Sequence, residues 1–172
     1  MKKTIFTKLL LILLVAFFQH TQIIAQEKID NIVSIKNGKV IVTEVITIEG
    51  ATKEDLYTEG VISINKLFSK EEIKTQDNNI YLISVVGRLT SNSLMHKQFN
   101  LNIQFKDGKY KYEISDIYYI PRGVAADVLS PHSIEENGII ERNPEWKEVV
   151  YKDFIGIIST LKKEIKGNTT DW

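Results

Sequence analysis

His132 is the residue of this chain best placed by type to do chemistry, since imidazole titrates near neutral pH and can serve as base, nucleophile or metal ligand. Ser130 and Ser133 flank it, and Asp127, Glu135 and Glu136 lie within a few residues. A serine, a histidine and an orienting acid would suit nucleophilic hydrolysis. Neighbours in sequence rarely meet productively, however, and the chain has no Gly-x-Ser-x-Gly elbow. Asp127, His132, Glu135 and Glu136 have the types that bind zinc or a harder cation. They lack a recognised ligand spacing and read as a solvated acidic loop. No phosphate-binding loop or dinucleotide fingerprint is present. A carboxylate pair cannot be singled out from 22 acids. The sequence therefore assigns no catalytic residue, cofactor or metal ligand.

Three other features carry chemical interest. Asp116 falls on the apolar face of a strand, opposite Phe99 by register, where a charge needs a partner or an exit to solvent. The expectation is a strand end, with Ile117 to Ile120 leaving the sheet; the rival is a site acid with a raised pKa. Tyr110 and Tyr112 alternate on the same apolar face and are expected in the core, with hydroxyls reaching an edge. The opposite face offers Asn100, Asn102, Gln104, Lys106, Lys109, Lys111, Glu113 and Ser115. Asn100, Asn102, Gln104, Lys109, Lys111 and Glu113 are the candidate contact residues of that row, for a polar ligand or a partner protein. Nucleic acid is not expected there, because no aromatic platform interleaves the charges.

These residues must be positioned by a small domain. Lys2, Lys3 and Lys8 precede an unbroken apolar run from Leu9 to Phe18, followed by polar residues and Ile23-Ile24-Ala25. That order is a signal peptide, residues 1–25, too short to span a bilayer. Removing it takes three lysines from 22 basic residues and none from 22 acids, leaving a net charge of about −3. Such a chain has no general pull toward nucleic acid or anionic lipid. Absent cysteine rules out disulfides, thiol catalysis and thiolate metal sites.

Residues 26–166 fit one domain, with 167–172 as a flexible tail. Asn37-Gly38 between apolar runs signals a two-residue hairpin turn, pairing Ile35 with Val40 and Val33 with Val42. Thr52 can cap a helix, with Asp55 three residues on. Leu56, Tyr57, Gly60, Val61, Ile64, Leu67 and Phe68 form its apolar stripe, and Gly60 would let it approach a sheet closely. Ser69 to Asn79 has room for a short edge strand. Ile80 to Val86 reads as a strand buried on both faces, and Arg88 to His96 as a loop. Phe99, Leu101, Ile103 and Phe105 alternate with polar residues, then Asp107-Gly108, then Tyr110, Tyr112 and Ile114 alternate again. The turn sets Phe105 opposite Tyr110, Ile103 opposite Tyr112 and Leu101 opposite Ile114, with positive φ at both Asp107 and Gly108. Pro121 to Pro144 shows no period. Asn143 as cap, Pro144 at the first position, and a stripe from Trp146 to Ile165 describe a second helix. The economical packing is α+β: a two-layer sandwich, with both helices on the dry face of a curved antiparallel sheet.

The runs Gly38-Lys39-Val40 with Glu44-Val45, Gly50-Ala51-Thr52-Lys53-Glu54-Asp55-Leu56-Tyr57 and Phe105-Lys106-Asp107-Gly108-Lys109-Tyr110-Lys111-Tyr112-Glu113-Ile114 resemble a bacterial exported domain of unknown function with a TATA-binding-protein-like (TBP-like) fold. The resemblance covers roughly Gly38 to Tyr119. It implies helices on one side of a curved antiparallel sheet, and it implies no activity. The functional expectation is an exported, periplasmic or secreted, non-enzymatic binding or scaffold domain of the cell envelope, touching the membrane only through its signal peptide during export. The alternatives are a hydrolase with its site in residues 122–143 and a small lipid or ligand carrier using a groove between helix and sheet.

Cleavage is expected after Ala25. Intact-mass measurement of the protein from its native host should give a chain beginning at Gln26; a mature chain that keeps Leu9 to Phe18 would contradict it.

Overall fold

The computed structural model describes residues 29–90, 95–121, 132–133 and 145–167. Residues 29–32 are helical and lead into β1 (Val33–Lys36) and β2 (Lys39–Thr47). Then come α1 (Lys53–Leu67), β3 (Ile73–Asp77), β4 (Leu82–Thr90), β5 (Met95–Lys106), β6 (Lys109–Pro121), the two-residue β7 (His132–Ser133) and α2 (Trp146–Glu164). The sheet is antiparallel with strand order β1-β2-β6-β5-β4-β3, and β7 pairs with the end of β6. Among the described residues no helix is long and apolar enough to cross a membrane.

Turn chemistry sets the registers. Asn37 and Gly38 take φ of 52° and 75°, the left-handed pair that a two-residue hairpin needs. Ile35 then faces Val40 and Val33 faces Val42, as the sequence requires. At the second hairpin Phe105 faces Tyr110, Ile103 faces Tyr112 and Leu101 faces Ile114. Only Gly108 is left-handed there, at φ 73°, and Asp107 is not. The tip is docked on the start of α1: Asp107 Oδ1 accepts the N–H of Lys53 at 3.0 Å, and the Gly108 N–H donates to the Ala51 carbonyl at 2.8 Å.

Two strands differ from expectation. β4 is buried on one face only: Ile83, Val85 and Gly87 face the helices, while Leu82, Ser84 and Val86 are half-buried opposite them. Ile80 precedes the strand and is 63% exposed. The apolar run misled because it combined a turn residue with the inner and outer faces of one strand. The stretch expected as a loop from Arg88 to His96 is strand at both ends, β4 running to Thr90 and β5 starting at Met95, with 91–94 outside the described residues. Arg88, Leu89 and Thr90 pair with Gln98, Lys97 and His96, since backbone pairing tolerates polar side chains on the wet face. The expected edge strand is β3, short and interrupted by a register shift between Ile73 and Thr75, both devices that blunt an edge.

Both helices lie on the dry face. The Asp55 N–H donates to the Thr52 hydroxyl at 3.2 Å, which caps α1. Gly60 sits directly over the sheet: a Cβ there would lie 2.3 Å from the Phe105 ring. Gly87 of β4 meets Phe99 in the same way. α2 begins at Trp146 with Glu145 at its cap position and no side-chain cap bond; Asn143 and Pro144 lie outside the described residues. It buries Trp146, Val150, Phe154, Ile157, Ile158 and Leu161. Phe99 receives Phe68 and Phe154 edge-on, with centroids 6.2 and 5.1 Å away. Lys166 and Gly167 follow α2, and both donate N–H to Glu59 of α1 at 2.7 Å.

In a free helix face, replacing glycine by alanine gains up to about 1 kcal/mol of propensity. Here the Phe105 ring must move instead, and such overpacking costs about 1–3 kcal/mol. Gly60→Ala is therefore expected to lower the urea midpoint; an equal or higher midpoint would show that the helix does not press on the sheet.

Candidate functional site

The two helices leave the other face of the sheet uncovered by any described element. Its side chains come from alternate positions. β5 supplies Asn100, Asn102 and Gln104, and β6 supplies Lys109, Lys111, Glu113 and Ser115. Gln104 stands opposite Lys111, Asn102 opposite Glu113, and Asn100 opposite Ser115. Leu82, Asn102, Gln104, Lys111 and Glu113 line a depression of about 220 Å³. A second, of about 200 Å³, is lined by Val45, Gln104, Lys106, Lys109 and Lys111 along with Tyr110. Gln104 and Lys111 border both, so the two are neighbours along the hairpin. Lys111 donates to Glu113 at 2.7 Å, pairing the two charges at a partly exposed position.

Asp116 explains how the polar row stays in line. Gln98 pairs with Tyr118 and Asn100 with Ser115, so Asp116 and Ile117 together face Phe99. This is a β-bulge, with Asp116 left-handed at φ 48°. The extra residue sends the carboxylate to the open face, where it accepts from Lys39 Nζ at 2.5 Å and Asn100 Nδ2 at 2.9 Å. The hydrogen bond from Lys39 holds the carboxyl below the usual aspartate range, aided by that from Asn100. The strand does not end here: Ile117 and Tyr119 are buried and pairing continues to Pro121. Neither a strand end nor a raised-pKa acid describes Asp116.

Tyr110 and Tyr112 are core residues, 1% and 0% exposed. The Tyr112 hydroxyl donates to Glu44 Oε2 at 2.9 Å, and Lys162 of α2 meets the same carboxylate at 2.6 Å. Burial, then the bond to Glu44, push the Tyr112 phenol far up. The Tyr110 hydroxyl is buried with no hydrogen-bond partner among the described residues, and burial raises its pKa as well.

A related arrangement lies farther along β6. The Tyr119 hydroxyl donates to Asp153 Oδ2 at 2.8 Å, and Lys97 Nζ reaches Asp153 Oδ1 at 2.5 Å with only 8% of its side chain exposed. Burial and the Asp153 charge push Tyr119 up, so it stays a proton donor. Sequence reasoning missed Glu44, Lys97 and Asp153. Each interrupts an apolar period: Glu44 between Val42 and Ile46, Lys97 two before Phe99, and Asp153 on the Val150–Ile157 face.

His132 is described only as a strand residue opposite Tyr119. Asp127, Ser130, Glu135 and Glu136, with most of the 122–143 segment, lie outside the described residues. Among the described residues no three of His, Asp and Glu come together as a metal site.

Residues 43–120 match the family described as a domain of unknown function (DUF4468) with TBP-like fold. That stretch is similar to a DUF4468 domain. The match runs from β2 to the end of β6, so it includes every residue of the polar row. A TBP-like protein from Parabacteroides distasonis superposes with a TM-score of 0.58 at 16% identity, covering 76% of this chain and 97% of its own. A DUF4468 family protein from Bacteroides ovatus has the same score and identity, covering 81% and 94%. At that identity the likeness establishes the fold. It agrees with the resemblance read from the hairpins: the fold of this chain is α+β and TBP-like, with an open antiparallel sheet and helices on one side. No curated protein matches the sequence.

Proposed function

We propose that this domain is an exported, non-enzymatic binding module of the cell envelope or exterior, and that its contact surface is the open sheet face. The observation that carries the reading is the pair of neighbouring depressions on this face, the first lined by Leu82, Asn102, Gln104, Lys111 and Glu113 and the second bordered by Lys106 and Lys109. Strands hold polar groups more firmly than loops do, which lowers the entropy lost on binding. The side chains differ in kind: amides that donate and accept, a lysine–glutamate pair, and exposed apolar Val45. Such mixtures recognise polar ligands or protein surfaces by shape and hydrogen bonding. The layer between helices and sheet is filled where Gly60 meets Phe105 and Gly87 meets Phe99. That filling favours the open face over a helix–sheet groove as the contact surface. The export half of the proposal rests on the basic, apolar and polar order of residues 1–25.

A photocrosslinking side chain placed at Asn102 and, separately, at Ile62 on the exposed side of α1 compares the two faces in the native host. Position 102 is expected to give a discrete adduct, suppressed by Gln104→Arg, which fills the depression. An adduct from position 62 with none from 102 would overturn the assignment.

A further inference from the structure

One end of the open face carries charge that no ion pair among the described residues compensates. Lys106 and Lys109 stand directly opposite each other across the β5–β6 turn, a placement in which like charges destabilise a strand pair. Neither joins an ion pair among the described residues, whereas Lys39, Lys66, Lys147 and Lys152 are matched by Asp116, Glu164, Asp30 and Glu148. The acid next in sequence, Asp107, is turned away, holding the N–H of Lys53. Both lysines border the depression of about 200 Å³, with Lys111 and Gln104 on its far side. Lys111 is already neutralised by Glu113, so two positive charges remain unmatched around a concavity.

We propose that this end of the face is an anion site whose ligand is a phosphoryl group, held by Lys106 and Lys109 with the Gln104 amide as hydrogen-bond donor. The proposal rests on the reading of the open face as the contact surface. A phosphoryl group carries a charge of about −1.5 to −2 and three strong acceptor oxygens, which matches two ammoniums and one amide. The flanking Val45 and the neutral stretch toward Asn102 would contact whatever bears the phosphate. An anion there would place a counter-charge between the two lysines.

The test uses the protein purified after export, inorganic pyrophosphate at millimolar concentration as probe, and sodium chloride to hold ionic strength constant. A ligand that binds only the folded state raises its melting temperature saturably. The expected rise is about 2 °C or more, absent in Lys106→Gln/Lys109→Gln and retained in Lys36→Gln/Lys70→Gln, which removes the same charge elsewhere. The first double variant should melt at or above the wild-type temperature without probe, since it loses a like-charge pair. Flotation with phosphatidylglycerol against phosphatidylcholine vesicles separates the sources. Lysine-dependent flotation assigns the phosphoryl group to a lipid headgroup; a pyrophosphate response alone assigns it to a soluble ligand. No lysine-dependent response in either arm overturns the anion site. An adduct from position 102 in that case leaves the open-face reading standing and removes only its phosphoryl ligand.

Discussion

The two-residue period of β5 and β6, reset once by the bulge at Asp116, is the constraint on which the rest depends. Side chains on a strand alternate strictly, so one inserted residue exchanges the faces of everything beyond it. Up to Ser115 the order of faces suits a dry side of Leu101, Ile103, Phe105, Tyr110, Tyr112 and Ile114. Without the bulge, Asp116 would enter the core and Ile117 would face water. With it, Asp116 turns to Lys39 and Asn100 on the open face, and Ile117 and Tyr119 are buried. Aspartate suits the position because a short polar side chain tolerates left-handed φ better than most.

The second consequence is where α2 can sit. Tyr112 and Tyr119 both reach the helix side, one on each side of the bulge, and each donates to a carboxylate that a lysine also binds. In the first, the sheet supplies the acid and α2 the lysine; in the second, the sheet supplies the lysine and α2 the acid. This opposed polarity specifies one direction for α2, because a reversed helix would set Lys162 against Lys97 and Asp153 against Glu44. Desolvation offsets much of what a buried pair contributes, whereas removing one partner costs about 3–5 kcal/mol. Apolar contacts such as Phe99 with Phe154 therefore supply the attraction, and the two bridges fix the placement.

Much of this was legible because local rules and long-range pattern agreed. Asn37-Gly38 and Asp107-Gly108 set registers that the apolar alternation independently demanded, and Thr52 capped the helix where the stripe began. The bulge was not legible, since one extra residue leaves no mark except an acid at a dry position, which a strand end explains equally well. The extent of β4 was missed because Arg88 to Thr90 pair through their backbones. Glu44, Lys97 and Asp153 look like surface charges until the helix and strands that bring them together are placed. The polar row could be read as a row, but its depressions depend on side-chain packing across four strands. The repulsion between Lys106 and Lys109 was implicit in the register itself.

Deleting Asp116 is the most direct test of the account. The deletion restores simple alternation, which sends Ile117 and Tyr119 to the open face and breaks the Tyr119–Asp153 bond. Equilibrium urea unfolding should then show a loss of more than about 3 kcal/mol or no cooperative transition. Asp116→Gly keeps the bulge, gives up two partly exposed hydrogen bonds and eases the left-handed backbone, so it should stay within about 1 kcal/mol of wild type. A deletion variant unfolding cooperatively at the wild-type midpoint would contradict the claim that the bulge organises both faces of the sheet.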